Sequence, residues 1–249
     1  MRNILILTLI LINFSFCANS QSNSQKEYKR VRTAYEDKEN FVKNLLSENG
    51  IKNYEYDLLI TAYKTEQFLQ VWCKPKDSTT YKPLIKYDFC TSSGVLGPKR
   101  QSGDFQIPEG FYHISYFNPA SSYYLSLKVS YPNKSDKILG VKDKLGGDIF
   151  IHGACCSIGC IPITDDKIKE LYILCLEAKN SGQSEIPVYI FPAQLERNKF
   201  IKLKKQHIEN KELIEFWANL KTGYDLFKTT KKEVSFSIDN KGKYIFKEN

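Results

Sequence analysis

Apolar and polar positions change rhythm four times along the chain. Residues 4–16 form an almost unbroken apolar run, interrupted only by Thr8, Asn13 and Ser15. Residues 21–53 are polar, and within them Phe41 and Leu45 recur at the i, i+4 interval of one helical face. That spacing predicts a short amphipathic helix ended near Asn49-Gly50. From Tyr54 the period shortens. Residues 57–63 and 68–73 flank Lys64-Thr65-Glu66-Gln67 and read as a β-hairpin, with 84–91 as a third strand. Residues 94–110 hold four glycines and two prolines and must be largely loop.

Residues 111–116 and 123–131 are dominated by aromatic and β-branched side chains and predict further strands. Gly146-Gly147 breaks the chain before 148–151, a short apolar strand that delivers His152. Thr164-Asp165-Asp166 is a helix-start signature, and Ile168, Leu171, Tyr172 and Cys175 follow at helical spacing until Asn180-Ser181-Gly182. A strand over 188–191 closes this region. Beyond it come a helix over 207–227 and a hairpin pairing 234–238 with 244–246. Strands with a few helices and no βα alternation predict an α+β, mainly β fold, a small sandwich or barrel with flanking helices. The organisation expected is a leader (1–20), an N-terminal helical segment (21–53), a central domain (54–193) and a helix-and-hairpin extension (194–249).

The leader changes the setting of everything after it. Arg2 gives a positive start, the apolar run follows, and Ala18-Asn19-Ser20 offers the small residues a signal peptidase reads, predicting cleavage after Ser20. The run is shorter than the roughly 20 residues a bilayer requires. Lipoprotein processing at Cys17 is disfavoured because bulky Phe16 stands where a small residue belongs. No later stretch is apolar enough to span a membrane, so no anchor is expected in the mature chain. The net charge is +8. In an exported protein this suits an acidic envelope polymer rather than nucleic acid, and the plain alternative is a lysine-rich solvated surface.

Six cysteines remain after the leader: Cys73, Cys90, Cys155, Cys156, Cys160 and Cys175. Six allow 15 disulfide pairings, and the sequence does not choose among them. A bond between the adjacent Cys155 and Cys156 would close a strained ring, so any bond either makes should reach elsewhere. The cluster Ile151-His152-Gly153-Ala154-Cys155-Cys156-Ser157-Ile158-Gly159-Cys160 carries the chemistry. A cysteine attacks as its thiolate, an unperturbed thiol of pKa about 8.5 is mostly protonated at neutral pH, and an imidazole can take that proton. His152 and Cys160 lie 8 residues apart, close enough for one loop to bring them together. Gly159 lets the backbone approach a substrate, and the Cys160 N–H with a neighbour can cradle an oxyanion. Cys160 must then be a free thiol. Two other readings stay open: zinc held by His152, Cys155, Cys156 and Cys160, and structural thiols beside a core histidine.

This stretch resembles the signature of the L,D-transpeptidase (YkuD-type) catalytic domain, in particular its YafK-like branch. Further blocks resemble it in the same order: Gly97-Pro98-Lys99-Arg100, Gly103-Asp104, Pro108-Glu109-Gly110-Phe111-Tyr112, Phe117-Asn118-Pro119, Tyr131-Pro132-Asn133 with Asp136, and the strand from Ile186 to Pro192. The resemblance covers about residues 55–193. It implies a mainly β domain acting on peptidoglycan stem peptides, with Cys160 as nucleophile and His152 as proton acceptor. It also implies that the Gly153 carbonyl orients the imidazole and that the N–H groups of Gly159 and Cys160 form the oxyanion hole. Lys99, Arg100 and Ser157 are the candidate substrate contacts, and no cofactor or metal is called for. Asp104 and Glu109 suit turn-forming and salt-bridging roles, and His113 a structural one. Where the broader family has a second histidine and an arginine beside the cysteine, this chain has Ile158 and Pro162, which leaves transfer and hydrolysis both open. The expected activity is L,D-transpeptidation, cross-linking the wall or attaching an envelope protein. Hydrolysis of the same bonds is the alternative, and a non-catalytic envelope-binding domain the more distant one.

Overall fold

A computed structural model describes residues 24–247. The expected signal peptide and the Cys17 alternative lie outside the described residues.

Eight strands form one curled sheet: β1 (Tyr56–Tyr63), β2 (Phe68–Pro75), β3 (Lys82–Asp88), β4 (Gly110–Asn118), β5 (Ser126–Val129), β6 (Phe150–His152), β7 (Ile161–Pro162) and β8 (Pro187–Phe191), in the order β3-β2-β1-β8-β4-β5-β6-β7. β1–β8 and β6–β7 run parallel, and the other neighbours antiparallel. β4 produces the curl. Its residues 110–113 pair with β8 and residues 114–118 pair with β5, across an irregularity between Ile114 and Tyr116. Such irregularities bend a strand and raise its twist. The second half of the sheet, which carries His152, therefore turns away from the first.

Strand side chains alternate between faces, and here both faces are buried. Leu58, Ile60 and Ala62 of β1, with Val188 and Ile190 of β8, enter a mainly aliphatic core. That core is covered by α1 (Lys29–Glu48), through Val31, Ala34, Val42 and Leu46, and by α3 (Asp165–Asn180). Leu59, Tyr63, Tyr189 and Phe191 enter an aromatic core on the other side. It is covered by α4 (Arg197–Gln206), α5 (Lys211–Thr230) and the hairpin β9 (Phe236–Ile238) and β10 (Tyr244–Phe246). Trp217, Leu220, Tyr224, Phe227 and Tyr244 bury their rings and side chains there. Gly223 allows the approach, because a Cβ there would come within 2.5 Å of both Phe111 and Phe246.

One polar node crosses this aromatic layer. Glu109, fully buried, accepts from Lys64 Nζ (2.9 Å), the Gly97 N–H (2.8 Å) and Trp217 Nε1 (2.7 Å). Lys64 Nζ also donates to the carbonyls of Gly97 (2.6 Å) and Ile107 (2.9 Å). The salt-bridging role expected of Glu109 is present, and it links β1, the glycine-rich loop and α5.

Several expected elements differ in extent. The N-terminal helix spans 20 residues rather than a few, and its buried face is one register step from the expected one: Phe41 is exposed while Val42 and Leu46 are buried. The expected strand over 123–131 shrinks to Ser126–Val129. A short helix, α2 (Lys134–Leu139), follows it, started by a capping box between Asn133 and Asp136. α4 and the two-residue β7 were not expected, and α5 begins at Lys211 rather than 207.

Candidate active site

The site is built at the β6–β7 end of the sheet. The parallel pair sets Ile151 opposite Ile161 and His152 opposite Pro162, so Cys160 stands immediately before β7 and two residues from the partner of His152. The intervening segment doubles back on itself. The Ile163 N–H donates to the His152 carbonyl (2.9 Å), and the Gly153 N–H to the Leu125 carbonyl (3.2 Å).

Gly153 is required by crowding. A Cβ there would lie 2.5 Å from Asp165 Oδ1 and 2.9 Å from the Tyr123 carbonyl oxygen. Asp165 explains its own position, since its Oδ1 accepts the Ala154 N–H at 2.7 Å and so fastens the turn to the start of α3. The helix begins where the sequence predicts, but Thr164 supplies no side-chain cap.

His152 is almost fully buried, and the Tyr123 ring stacks on it with centroids 4.6 Å apart. Its Nδ1 hydrogen-bonds the Gly153 carbonyl. A carbonyl only accepts, so Nδ1 carries the proton and Nε2 is left as the basic nitrogen. Burial lowers the imidazole pKa below its usual 6.5, and the Gly153 carbonyl offsets this only partly. At neutral pH the ring is therefore neutral, the state a general base needs.

Cys160 is a free, partly exposed thiol. Its Sγ donates to the Asp148 carbonyl at 3.6 Å, so its partner at rest is the backbone before β6 rather than the imidazole. Burial pushes the thiol pKa above 9.0; the Phe150 N–H opposes this, and the Asp148 and Cys156 charges add to it. The resting group is therefore a thiol. Gly159 holds φ +128, a conformation L side chains rarely adopt, and a Cβ there would meet the Gln106 carbonyl oxygen at 3.0 Å.

The remaining expected site residues divide. Ser157 serves the turn itself: its Oγ donates to the Cys160 carbonyl (2.8 Å), accepts the Gly159 N–H (3.1 Å) and meets Ser93 Oγ (3.0 Å). The Gly159 N–H, expected in the oxyanion hole, is thereby engaged. Lys99 is buried, with Nζ on Asp104 Oδ1 (2.6 Å) and the Gln101 carbonyl (2.9 Å), so its ammonium holds the glycine-rich loop rather than facing solvent. Arg100 lies farther out, over the Phe216 ring at 4.9 Å. Cys90 bonds Cys155 across 65 residues and ties the turn that carries Cys160 to the end of β3. Cys155 therefore bonds beyond its neighbour Cys156, as ring strain requires, and the zinc reading loses a ligand. Tyr123, Asp165, Ser93 and Gln106 shape the site without having stood out in the sequence. Only Asp165, in its helix-start signature, carried a local signal.

Comparison with known proteins identifies the chain's family. Residues 57–190 match the L,D-transpeptidase catalytic domain (YkuD). YafK of Escherichia coli (strain K12), named for the L,D-transpeptidases, is 34% identical over 206 residues, covering 78% of this chain and 77% of that protein. Among solved structures, the helical cell shape determining protein Pgp2 from Campylobacter jejuni aligns with 19% identity and a TM-score of 0.45, over 79% of this chain and 80% of that one. Bd1075 of Bdellovibrio bacteriovorus aligns with 21% identity and a TM-score of 0.40, over 77% of each chain. Covered along more than half its length by the family's catalytic domain, this chain belongs to the L,D-transpeptidase family.

Proposed function

We propose that the protein is a cysteine-dependent acyl transferase acting on peptidoglycan stem peptides, with Cys160 as nucleophile and His152 as general base. The observation that carries this reading is the placement of a buried imidazole and a free thiol at the same end of two adjacent strands. His152 Nε2 takes the thiol proton as Sγ attacks the carbonyl carbon of the amide after the third stem residue. The Cys160 N–H supports the developing oxyanion, with the Gly159 N–H available only by leaving Ser157. As the C–N bond breaks, the departing amine takes the proton from His152. The thioester then passes to an acceptor amine, which releases the thiol and yields a cross-link or an attached envelope protein.

One observation keeps hydrolysis as a second reading. Ile158, 71% exposed, presents apolar surface beside the nucleophile, where the broader family offers a polar side chain to substrates. Water in place of the acceptor amine would then end the cycle. The leader and the Cys90–Cys155 bond both support export to an oxidising envelope compartment.

Incubation with purified peptidoglycan fragments, followed by mass spectrometry, tests the proposal. Joined products indicate transfer, and loss of D-alanine or attached peptide with water uptake indicates hydrolysis. Cys160→Ala abolishes both while leaving thermal unfolding unchanged. Near-native turnover by that variant would overturn the assignment.

A further inference from the structure

A groove of about 930 Å³ opens between the glycine-rich loop and the C-terminal extension, within the range of volumes that hold small ligands. Gln106 lines it and joins it to the nucleophile. Its side-chain Oε1 accepts the Val95 N–H at 3.0 Å, while its carbonyl oxygen lies 3.0 Å from where a Cβ on Gly159 would stand. A single loop strand thus separates the groove from the turn that carries Cys160.

The groove carries both signs of charge. Arg100 reaches it with its guanidinium stacked on Phe216, and its Nη1 is sealed from water with no hydrogen-bond partner. Asp136 Oδ1, at 3.6 Å, is an ionic neighbour too distant to satisfy that donor. Lys241 and Lys243 come from the exposed tip of the β9–β10 hairpin, where Asp239 Oδ1 fixes the turn through both their N–H groups (2.8 and 2.9 Å). Glu212 and Glu215, from the start of α5, line the same groove.

We propose that this groove is a second recognition subsite, for a peptide segment bearing both a free carboxylate and a free amine. Arg100, Lys241 and Lys243 meet the carboxylate, and Glu212 and Glu215 the amine. That the segment belongs to a stem peptide rests on the function proposed above; the charge pattern of the groove does not. The extension then takes part in choosing the substrate, beside the loop that backs the nucleophile.

Calorimetric titration of the mature chain carrying Cys160→Ala, which prevents turnover, tests this with a stem tetrapeptide and with the same peptide amidated at its carboxylates. Adding Lys241→Gln and Lys243→Gln weakens binding of the free peptide about tenfold, or about 1.4 kcal/mol. The amidated peptide binds the parent chain more weakly by a similar factor and is indifferent to the two lysine changes, as a coupled pair requires. Acetylating the amines has the matching effect for Glu215→Gln. Equal binding by parent and variants overturns the subsite. A short zwitterionic peptide unrelated to peptidoglycan is the second arm. If it binds with the same lysine dependence while the stem peptide does not bind, the subsite stands and the peptidoglycan reading falls. If neither binds, the subsite falls.

Discussion

The two faces of the sheet are buried by different means. Under α1 and α3 the interior is aliphatic, and it supports the strands that present His152 and Cys160. Under α4, α5 and the hairpin it is aromatic, held by rings such as Trp217, Tyr224 and Phe227 and by the Glu109 node. On the aromatic face large rings are removed from water and fill the interior. Around Cys160, where Ile149, Ile151, His152 and Ile161 are buried as well, position is set by hydrogen bonds and by close backbone approaches at Gly153 and Gly159. Damage to the first should appear as lost stability, and damage to the second as lost rate.

The largest effect expected is on the aromatic face. Trp217→Ala removes a fully buried ring and leaves Glu109 Oε2 without its donor, and it should cost about 3–5 kcal/mol. For a chain of this size that lowers the melting midpoint by on the order of 10 °C, read by calorimetry, while the rate at low temperature survives in the folded fraction. A folded but inactive Trp217→Ala would break the comparison. His152→Ala does the reverse. It should slow turnover roughly 100-fold or more, the usual worth of general acid–base help, with little change in melting. Gly159→Ala lies between the two: positive φ and the Gln106 carbonyl together make it cost about 1–3 kcal/mol. If the loop yields instead of the protein melting, that cost appears as lost rate, which stopped-flow acylation would detect.

The smallest effect concerns pH. Burial lowers the His152 pKa and raises that of Cys160, so kcat/KM should stay flat across neutrality. It should fall in acid only below 6.5, when the imidazole gains its proton, and in alkali only above 9.0, when the proton destined for the leaving amine is gone. The linkage to stability has the same origin. A histidine harder to protonate when folded contributes nothing above its unfolded pKa and destabilises the fold as pH falls below it. An acid limb above 6.5 would show that His152 is the charged partner of a preformed thiolate instead.

Much of this arrangement was legible in the sequence because it is local. The β1–β2 hairpin follows the alternation of residues 57–73, and Tyr56 indeed faces Pro75 with no slip. The helix after Thr164 shows its period, and the separation of His152 from Cys160 reflects a single loop. Part of what escaped depends on contacts distant along the chain, and part on competition for a side chain within one turn or loop. Nothing near Cys90 announces a bond to Cys155, 65 residues away. Lys99 has the composition of a substrate contact, yet the neighbouring Asp104 claims it. Ser157 likewise spends its hydroxyl on the backbone of its own turn. α2 escaped although its signal is local, because Asn133 and Asp136, three residues apart, were not read as a capping box.

The Glu109 node bears on how far this protein can be cut. The family match ends at 190, but the chemistry that neutralises Lys64 and Glu109 is completed by Trp217. A polypeptide stopped near 193 would uncover Tyr63, Phe111, Tyr189 and Phe191 together and leave a buried carboxylate short of a donor. Such a fragment should aggregate rather than act. The catalytic-domain match is thus shorter than the span that the aromatic layer ties together, and any exchange of parts among relatives should carry the last fifty or so residues along with residues 57–190.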